Sequence, residues 1–197
     1  MKRFFEPALA IGLVISLVIG AHADVMQKDI SNRVLRLHVI ANSDSEEDQA
    51  EKLAVRDIVL DKANILLEDA KSVDEVKTIV SENLDIFTDC AKTATSHPVR
   101  AELVAMHFPT REYDTFSLPA GEYEALRIII GDGGGRNWWC VMFPPLCLSA
   151  AEAVKYAEEA GMSDDEIRFI SGGENEYRYK FKFLEILSAI REKVCNS

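Results

Sequence analysis

Residues 34–41, VLRLHVIA, alternate along the chain and place Leu35, Leu37 and Val39 on one side. That period of two predicts a half-buried β-strand. The following NSDSEEDQ (42–49) ends the strand and opens a helix. Short polar side chains accept from the free N–H groups of a first turn, and acidic groups suit its positive end. Ser45 with Asp48 reads as a capping pair. Val55, Val59, Ala63, Leu66 and Ala70 then recur every three to four residues, the stripe of an amphipathic helix. Ser72 and Glu75 form a capping-box pattern for a second helix, whose buried face is Val76, Val80, Leu84, Phe87 and Ala91.

From Val99 to Phe108 the pattern is strand-like, followed by the loop PTREYDTFSLPAG. Residues 122–130 and 138–143 read as further strands by their β-branched and aromatic content. Pro144 and Pro145 stop the last of these, because proline removes a ladder donor. Ser149 with Glu152 caps a helix ending at Gly161, and Ser163 with Glu166 caps one more turn. Tyr177, Phe181, Leu184, Leu187, Ile190 and Val194 fit a final helix, although Tyr177, Tyr179, Phe181 and Phe183 also alternate as in a strand. The fold expected is a single α+β domain, a mostly antiparallel β-sheet covered by amphipathic helices.

The first residues belong to a different class. Lys2 and Arg3 precede an uncharged run from Pro7 to Ala21, and Ala21-His22-Ala23 offers a small-x-small cleavage pattern. Residues 1–23 therefore read as a secretory signal peptide cleaved after Ala23, leaving 24–197 as the mature domain. The run is short for a membrane span, which needs roughly 17–25 apolar residues, and an uncleaved anchor is the alternative. Export makes disulfides permissible and cytoplasmic cofactor chemistry unexpected. The formal charge is -11, and removing Lys2, Arg3 and Glu6 makes it -12. Such a chain is a poor candidate for nucleic acid or anionic lipid.

The stretch GDGGGRNWWCVMFPPLC (131–147) is the most unusual of the chain. A phosphate cradle needs strand, glycine turn and helix, whereas here one strand-like segment runs into another. A hairpin loop with positive φ values fits better. Cys90, Cys140, Cys147 and Cys195 include no Cys-x-x-Cys pair, so no zinc ribbon or redox motif is supported. Cys140 and Cys147 either close a short loop around Pro144-Pro145, stabilising it by about 2 kcal/mol, or remain two buried thiols. Cys90, beside an apolar stripe, reads as a small buried hydrophobe.

Catalytic patterns are sparse. His38, His97 and His107 are the histidines after residue 23, with no His-Glu-x-x-His helix and no Gly-x-Ser-x-Gly elbow. No metal or cofactor is expected. The acidic cluster from Asp44 to Asp48 lacks the spacing of a calcium loop and is explained by capping, and Asp132 by its turn. Trp138 and Trp139 are adjacent on a strand and point to opposite faces, so one can fill the core while the other, beside Phe143, Pro144 and Pro145, anchors a partner. The partner-binding set is Asn137, Trp138, Trp139, Phe143, Pro144 and Pro145, with Asp132 and Arg136 at its rim. Arg127 is a second candidate, since a cation in an apolar strand needs a partner or an exposed face. The segment FPTREYD, from Phe108 to Asp114, is expected to adjoin this surface.

LRLHVIANSDSEEDQ, FPTREYD, PAGEYEALRIIIGDGGGRNWWCVMFPPLC and the closing KFKFLEIL together resemble the stage II sporulation protein R family, over about residues 30 to 194. The resemblance implies a non-enzymatic signal, exported from the forespore into the space between forespore and mother cell. Its partner would be a membrane-embedded aspartic protease that removes the pro-sequence of sigma-E, with no small-molecule substrate for the signal itself. The rival class is a secreted hydrolase acting on cell wall in the same space.

Overall fold

The computed structural model describes residues 20–113, 115–146 and 150–171, together with Val14 and Val18. Cys147, and with it the Cys140–Cys147 pairing, lies outside the described residues, as do Ser149 and the segment from Tyr177 to Val194. Residues 20–31 are helical (α1) and lead through a short turn into strand β1 (Leu35–Ile40). Helices α2 (Glu46–Leu66), α3 (Val73–Glu82) and α4 (Leu84–Lys92) follow, then strands β2 (Val99–Phe108), β3 (Arg111–Glu112), β4 (Ser117–Leu118), β5 (Gly121–Ile130) and β6 (Asn137–Phe143). Helices α5 (Ala150–Glu159) and α6 (Asp164–Ile170) come last.

The main sheet has the order β2-β5-β1-β6, and β3 pairs with β4 in a small ribbon. Strand β5 is antiparallel to β2 and parallel to β1, while β1 is antiparallel to β6. The fold is therefore α+β and mostly antiparallel, with one parallel pair at its centre. That pair corrects the expected hairpin. β5 and β6 are not neighbours, because β1 lies between them, and the glycine stretch bridges across the end of β1.

The same placement explains why β1 is buried along its whole length rather than on one face. Leu35, Leu37 and Val39 pack with Val55, Val59, Val76, Val80 and Phe87 from α2, α3 and α4. The opposite face lies under a second cluster that joins Ile30 of α1, Phe116, Leu118, Tyr123, Val141, Ala157 and Ile167. Alternation read from one strand cannot reveal that a second layer covers its polar-looking side, where Arg36 and His38 sit.

Local signals fare better. The Ser45 side chain accepts from the Asp48 N–H at 3.1 Å, and Ser163 with Glu166 forms a complete capping box. Ser72 caps α3 through the Glu75 N–H at 3.3 Å, while the Glu75 carboxylate accepts instead from the Lys71 N–H. The single helix expected from residue 73 to 91 is broken at Asn83. Its side-chain amide donates to the Ile79 carbonyl at 2.7 Å and its backbone leaves helical values, the competition with the backbone that makes asparagine a helix terminator.

Helix α1 runs through the Ala23–Asp24 junction, with Ala23, Met26 and Ile30 buried and Ala21 exposed. Among the described residues, no helix is long and apolar enough to cross a membrane.

Candidate functional site

The glycine stretch is a clamped loop. Gly131 and Gly133 have φ of +55° and +64°, the left-handed values that glycine adopts without penalty. The Gly131 N–H donates to the Pro98 carbonyl at 2.8 Å, and Gly133 closes a turn on the Ile130 carbonyl at 3.0 Å. The next donors reach the connection between β1 and α2. Asp132 N–H donates to Asn42 Oδ1, Gly134 to the Asn42 carbonyl and Gly135 to the Ala41 carbonyl, each at 3.0 Å. Arg136 N–H donates to Asp44 Oδ1 at 2.8 Å, and the Arg136 carbonyl accepts from buried Lys52 Nζ at 3.2 Å. Every one of these N–H groups is committed within the chain, so the loop offers none of them to a phosphate. What it offers is a rigid exposed surface carrying Asp132, Arg136 and Asn137.

Asp48 is the hinge pin beneath this surface. Its Oδ2 accepts from Ser43 Oγ at 2.5 Å and Asn42 Nδ2 at 3.0 Å, and its Oδ1 faces His97 Nε2 at 3.0 Å. The two hydroxyl and amide donors, with His97, hold the carboxyl well below its usual range, at about 2. Glu51, one turn on, accepts from the Thr95 hydroxyl. Asp48, Glu51 and His97 each bring a ligand atom within 4.8 Å of the others, a donor set of oxygen and imidazole nitrogen that suits a divalent transition metal. These groups are already satisfied by one another and by their neighbours. As placed, they tie α2 to the approach of β2.

The tryptophans lie on opposite faces of β6, as their adjacency requires, but neither is an exposed indole. Trp138 is half-buried on the α2 side, with the Arg56 guanidinium 4.4 Å from its ring. Trp139 is half-buried on the other face, stacked on His38 at 3.9 Å and edge-on to Phe108 at 4.7 Å. Arg111 lies 5.7 Å from the Trp139 ring, so the FPTREYD segment does adjoin it. His38 Nε2 is 2.8 Å from Asn137 Oδ1, and burial holds its imidazole pKa down at about 4. Arg127 finds its partner across the sheet in Glu102, at 3.1 Å.

Phe143, Pro144 and Pro145 do not share this surface. They stand at the far end of β6, about 20 Å from Asn137 at the rise of an extended chain, and Phe143 and Pro144 are buried. There they line a separate groove of about 740 Å³ beside the C-terminal ends of α2 and α5. The partner-binding set thus divides in two: Asp132, Arg136, Asn137, Trp138 and Trp139 at one end, and Phe143, Pro144 and Pro145 at the other.

Three elements escaped the sequence reading. Nothing local indicates that Asn42 and Asp44 are the acceptors of the glycine loop, although a loop so rich in glycine implies close backbone approach. His97 lies in a polar connection with no motif. Arg36 is fully buried, its Nη2 donating to the Tyr113 hydroxyl at 2.5 Å and its guanidinium 4.1 Å from the Phe108 ring. The signal for it was present, since strand phase puts Arg36 and His38 on one face.

The family model described as stage II sporulation protein R matches residues 31–153. The stage II sporulation protein R of Bacillus subtilis (strain 168) is 37% identical over 138 residues, covering 66% of this chain and 62% of that protein. No solved structure matches. The matched span contains both partners of the clamp, the 41–48 connection and the glycine loop, and the chain belongs to the stage II sporulation protein R family.

Proposed function

We propose that this chain is an exported signal of sporulation that switches on a membrane-embedded aspartic protease, the one that removes the pro-sequence of sigma-E. Family membership supports a sporulation role, and the family's name denotes a sporulation protein rather than an enzyme. The observation that carries the reading to a mechanism is the clamp. Six hydrogen bonds from residues 131–136 fix the exposed face of Asp132, Arg136 and Asn137 against Pro98, the β1–α2 connection and Lys52. A face ordered before binding loses little conformational entropy on contact. A signal must also favour the active state of its partner over the inactive one, and moving a 1:99 balance to 99:1 takes roughly 5.5 kcal/mol of differential affinity. A preordered face is suited to that, because a surface that adapted to both states would discriminate neither.

The test is reconstitution in a non-sporulating host. The protease and the sigma precursor are co-expressed with and without this chain, carrying its own N-terminal segment, and precursor cleavage is followed on a blot. Cleavage only in the presence of the chain is expected; cleavage independent of it contradicts the proposal. The runner-up, a hydrolase acting on cell wall, draws on the Asp48, Glu51 and His97 cluster. It requires turnover of purified peptidoglycan that Glu51→Gln abolishes.

A further inference from the structure

The groove at the Pro144-Pro145 end has a charge pattern that its fold does not need. Its floor is apolar, formed by Leu67, Phe143, Pro144 and Tyr156. Its rim carries Glu68, Asp69 and Glu159, all exposed, against a single lining base among the described residues, Lys71. Two helices end there, α2 at Leu66 and α5 at Glu159, and neither has a basic residue in its last turn. Helix C-termini carry about half a negative charge each and normally attract lysine or arginine. Here carboxylates are added to both ends instead. Lys155 lies 3.7 Å from Glu159, but both side chains are more than half exposed and screen one another weakly. Helix α3 also ends without a base, at Glu82, so what is particular to the groove is the convergence of two such helix ends beside an apolar lining.

We propose that this groove docks a protein segment that inserts an aromatic or aliphatic side chain flanked by lysine or arginine. The apolar anchor fills the floor, where a groove of about 740 Å³ takes one or two large side chains. The flanking cations meet Glu68, Asp69 and Glu159 and the two helix ends. The choice of a protein as occupant rests on the reading of the chain as a protease-activating signal; the charge and anchor chemistry do not. The groove is a second contact surface, distinct from the glycine-loop face and at the opposite end of β6.

The test uses the full chain and a fluorescein-labelled peptide, Gly-Lys-Lys-Phe-Leu-Lys-Lys-amide, followed by anisotropy. A control peptide replaces every lysine by glutamate. Saturable binding is expected, with the glutamate peptide at least about tenfold weaker. Glu68→Lys and Glu159→Lys should each weaken binding about fivefold with an unfolding midpoint equal to or above that of the wild type, since both sites are exposed and lysine suits a helix C-terminus. The difference between variants should vanish near 1 M salt, where the screening length is about 3 Å. A photo-crosslinking version of the peptide should label the 142–145 segment. No saturable binding, indifference to peptide charge, indifference to both reversals, or labelling of the glycine loop would each overturn the proposal. Self-association of the chain abolished by Glu159→Lys would also overturn it, by giving the groove to a second copy. The same variants enter the cleavage reconstitution. If they lose the peptide yet still support cleavage, the groove is not the contact with the protease and the activation reading stands. If the wild-type chain binds the peptide but supports no cleavage, the activation reading fails and the groove stands.

Discussion

Replacing Gly135 by alanine should loosen the clamp, and the structure sets the size of the effect. A Cβ at that position would lie 2.2 Å from the Ser43 carbonyl oxygen, 2.6 Å from its carbon and 2.9 Å from the Ala41 Cβ. The first two are backbone, so no side chain can swing away. Ordinary contact begins near 3.4 Å, and the loop must retreat by about 1 Å to reach it. That movement breaks the hydrogen bonds of Gly134 to Asn42, Gly135 to Ala41 and Arg136 to Asp44. At about 1 kcal/mol net for each bond the loss is about 3 kcal/mol. Alanine returns about 0.4–1 kcal/mol by restricting the unfolded chain, so the expected destabilisation is about 2 kcal/mol. Gly134→Ala is the internal control. Its Cβ would meet only the Asn42 carbonyl oxygen, at 3.3 Å, and the variant should stay within about 0.5 kcal/mol of wild type. Urea unfolding at constant m-value reads both. Gly135→Ala within about 0.5 kcal/mol of wild type, or Gly134→Ala falling as far as its neighbour, would refute the clamp.

Three further outcomes follow from the second face of the sheet. His38 titrates at about 4 in the folded protein against 6.5 as its ordinary value; the unfolded state therefore takes up its proton first, and about 3 kcal/mol of stability is lost as pH falls from 6.5 to 4. A pH series of unfolding free energies should show that slope, and His38→Gln should remove it; an equal slope in the variant would contradict the assignment. Arg36 has no acceptor at Nε or Nη1 among the described residues, and burial lowers its pKa. Arg36→Met should equal or exceed wild-type stability by up to about 2 kcal/mol, whereas Arg36→Ala should cost about 3 kcal/mol through lost packing on Phe108 and Tyr123; a strongly destabilised Met variant would show that Nε or Nη1 has an acceptor. Trp139→Ala should cost about 3 kcal/mol and Trp139→Phe about 1 kcal/mol in the same denaturation assay, because the ring is packed on His38 and Phe108. Trp139→Ala therefore perturbs the fold as well as any contact, and the exposed Arg136 and Asp132 are the cleaner probes of the surface.

Most elements were legible because each is encoded by neighbours along the chain. The stripes of α2 and α3, the Ser45 and Ser163 caps and the strands on either side of the glycines depend on residues within a turn or two of one another. What was not legible is non-local. β1 inserts between β5 and β6, and no pattern inside either of those strands distinguishes a hairpin from a bridge around a third strand. The glycines indicated close approach but not its target, since Asn42 and Asp44 also serve as ordinary helix-entry residues. The partner-binding set is a block of near-adjacent residues in the sequence, and an extended strand separates the ends of such a block. Trp138 and Trp139 took their expected opposite faces, yet both faces of this sheet are covered. The groove could not be read at all, because half of it comes from α2 and α5, far from Pro144 in sequence.

A signal and a catalyst differ in stoichiometry. Purified protease in a bilayer and a fixed amount of sigma precursor can be titrated with this chain while the initial cleavage rate is measured. If the chain is an activator that acts by occupying the protease, the rate rises in proportion to added chain and saturates once the protease is occupied, and Arg136→Glu shifts the midpoint to higher concentration without unfolding the protein. A rate already maximal at trace amounts of chain, or no dependence on the chain at all, would contradict activation by binding.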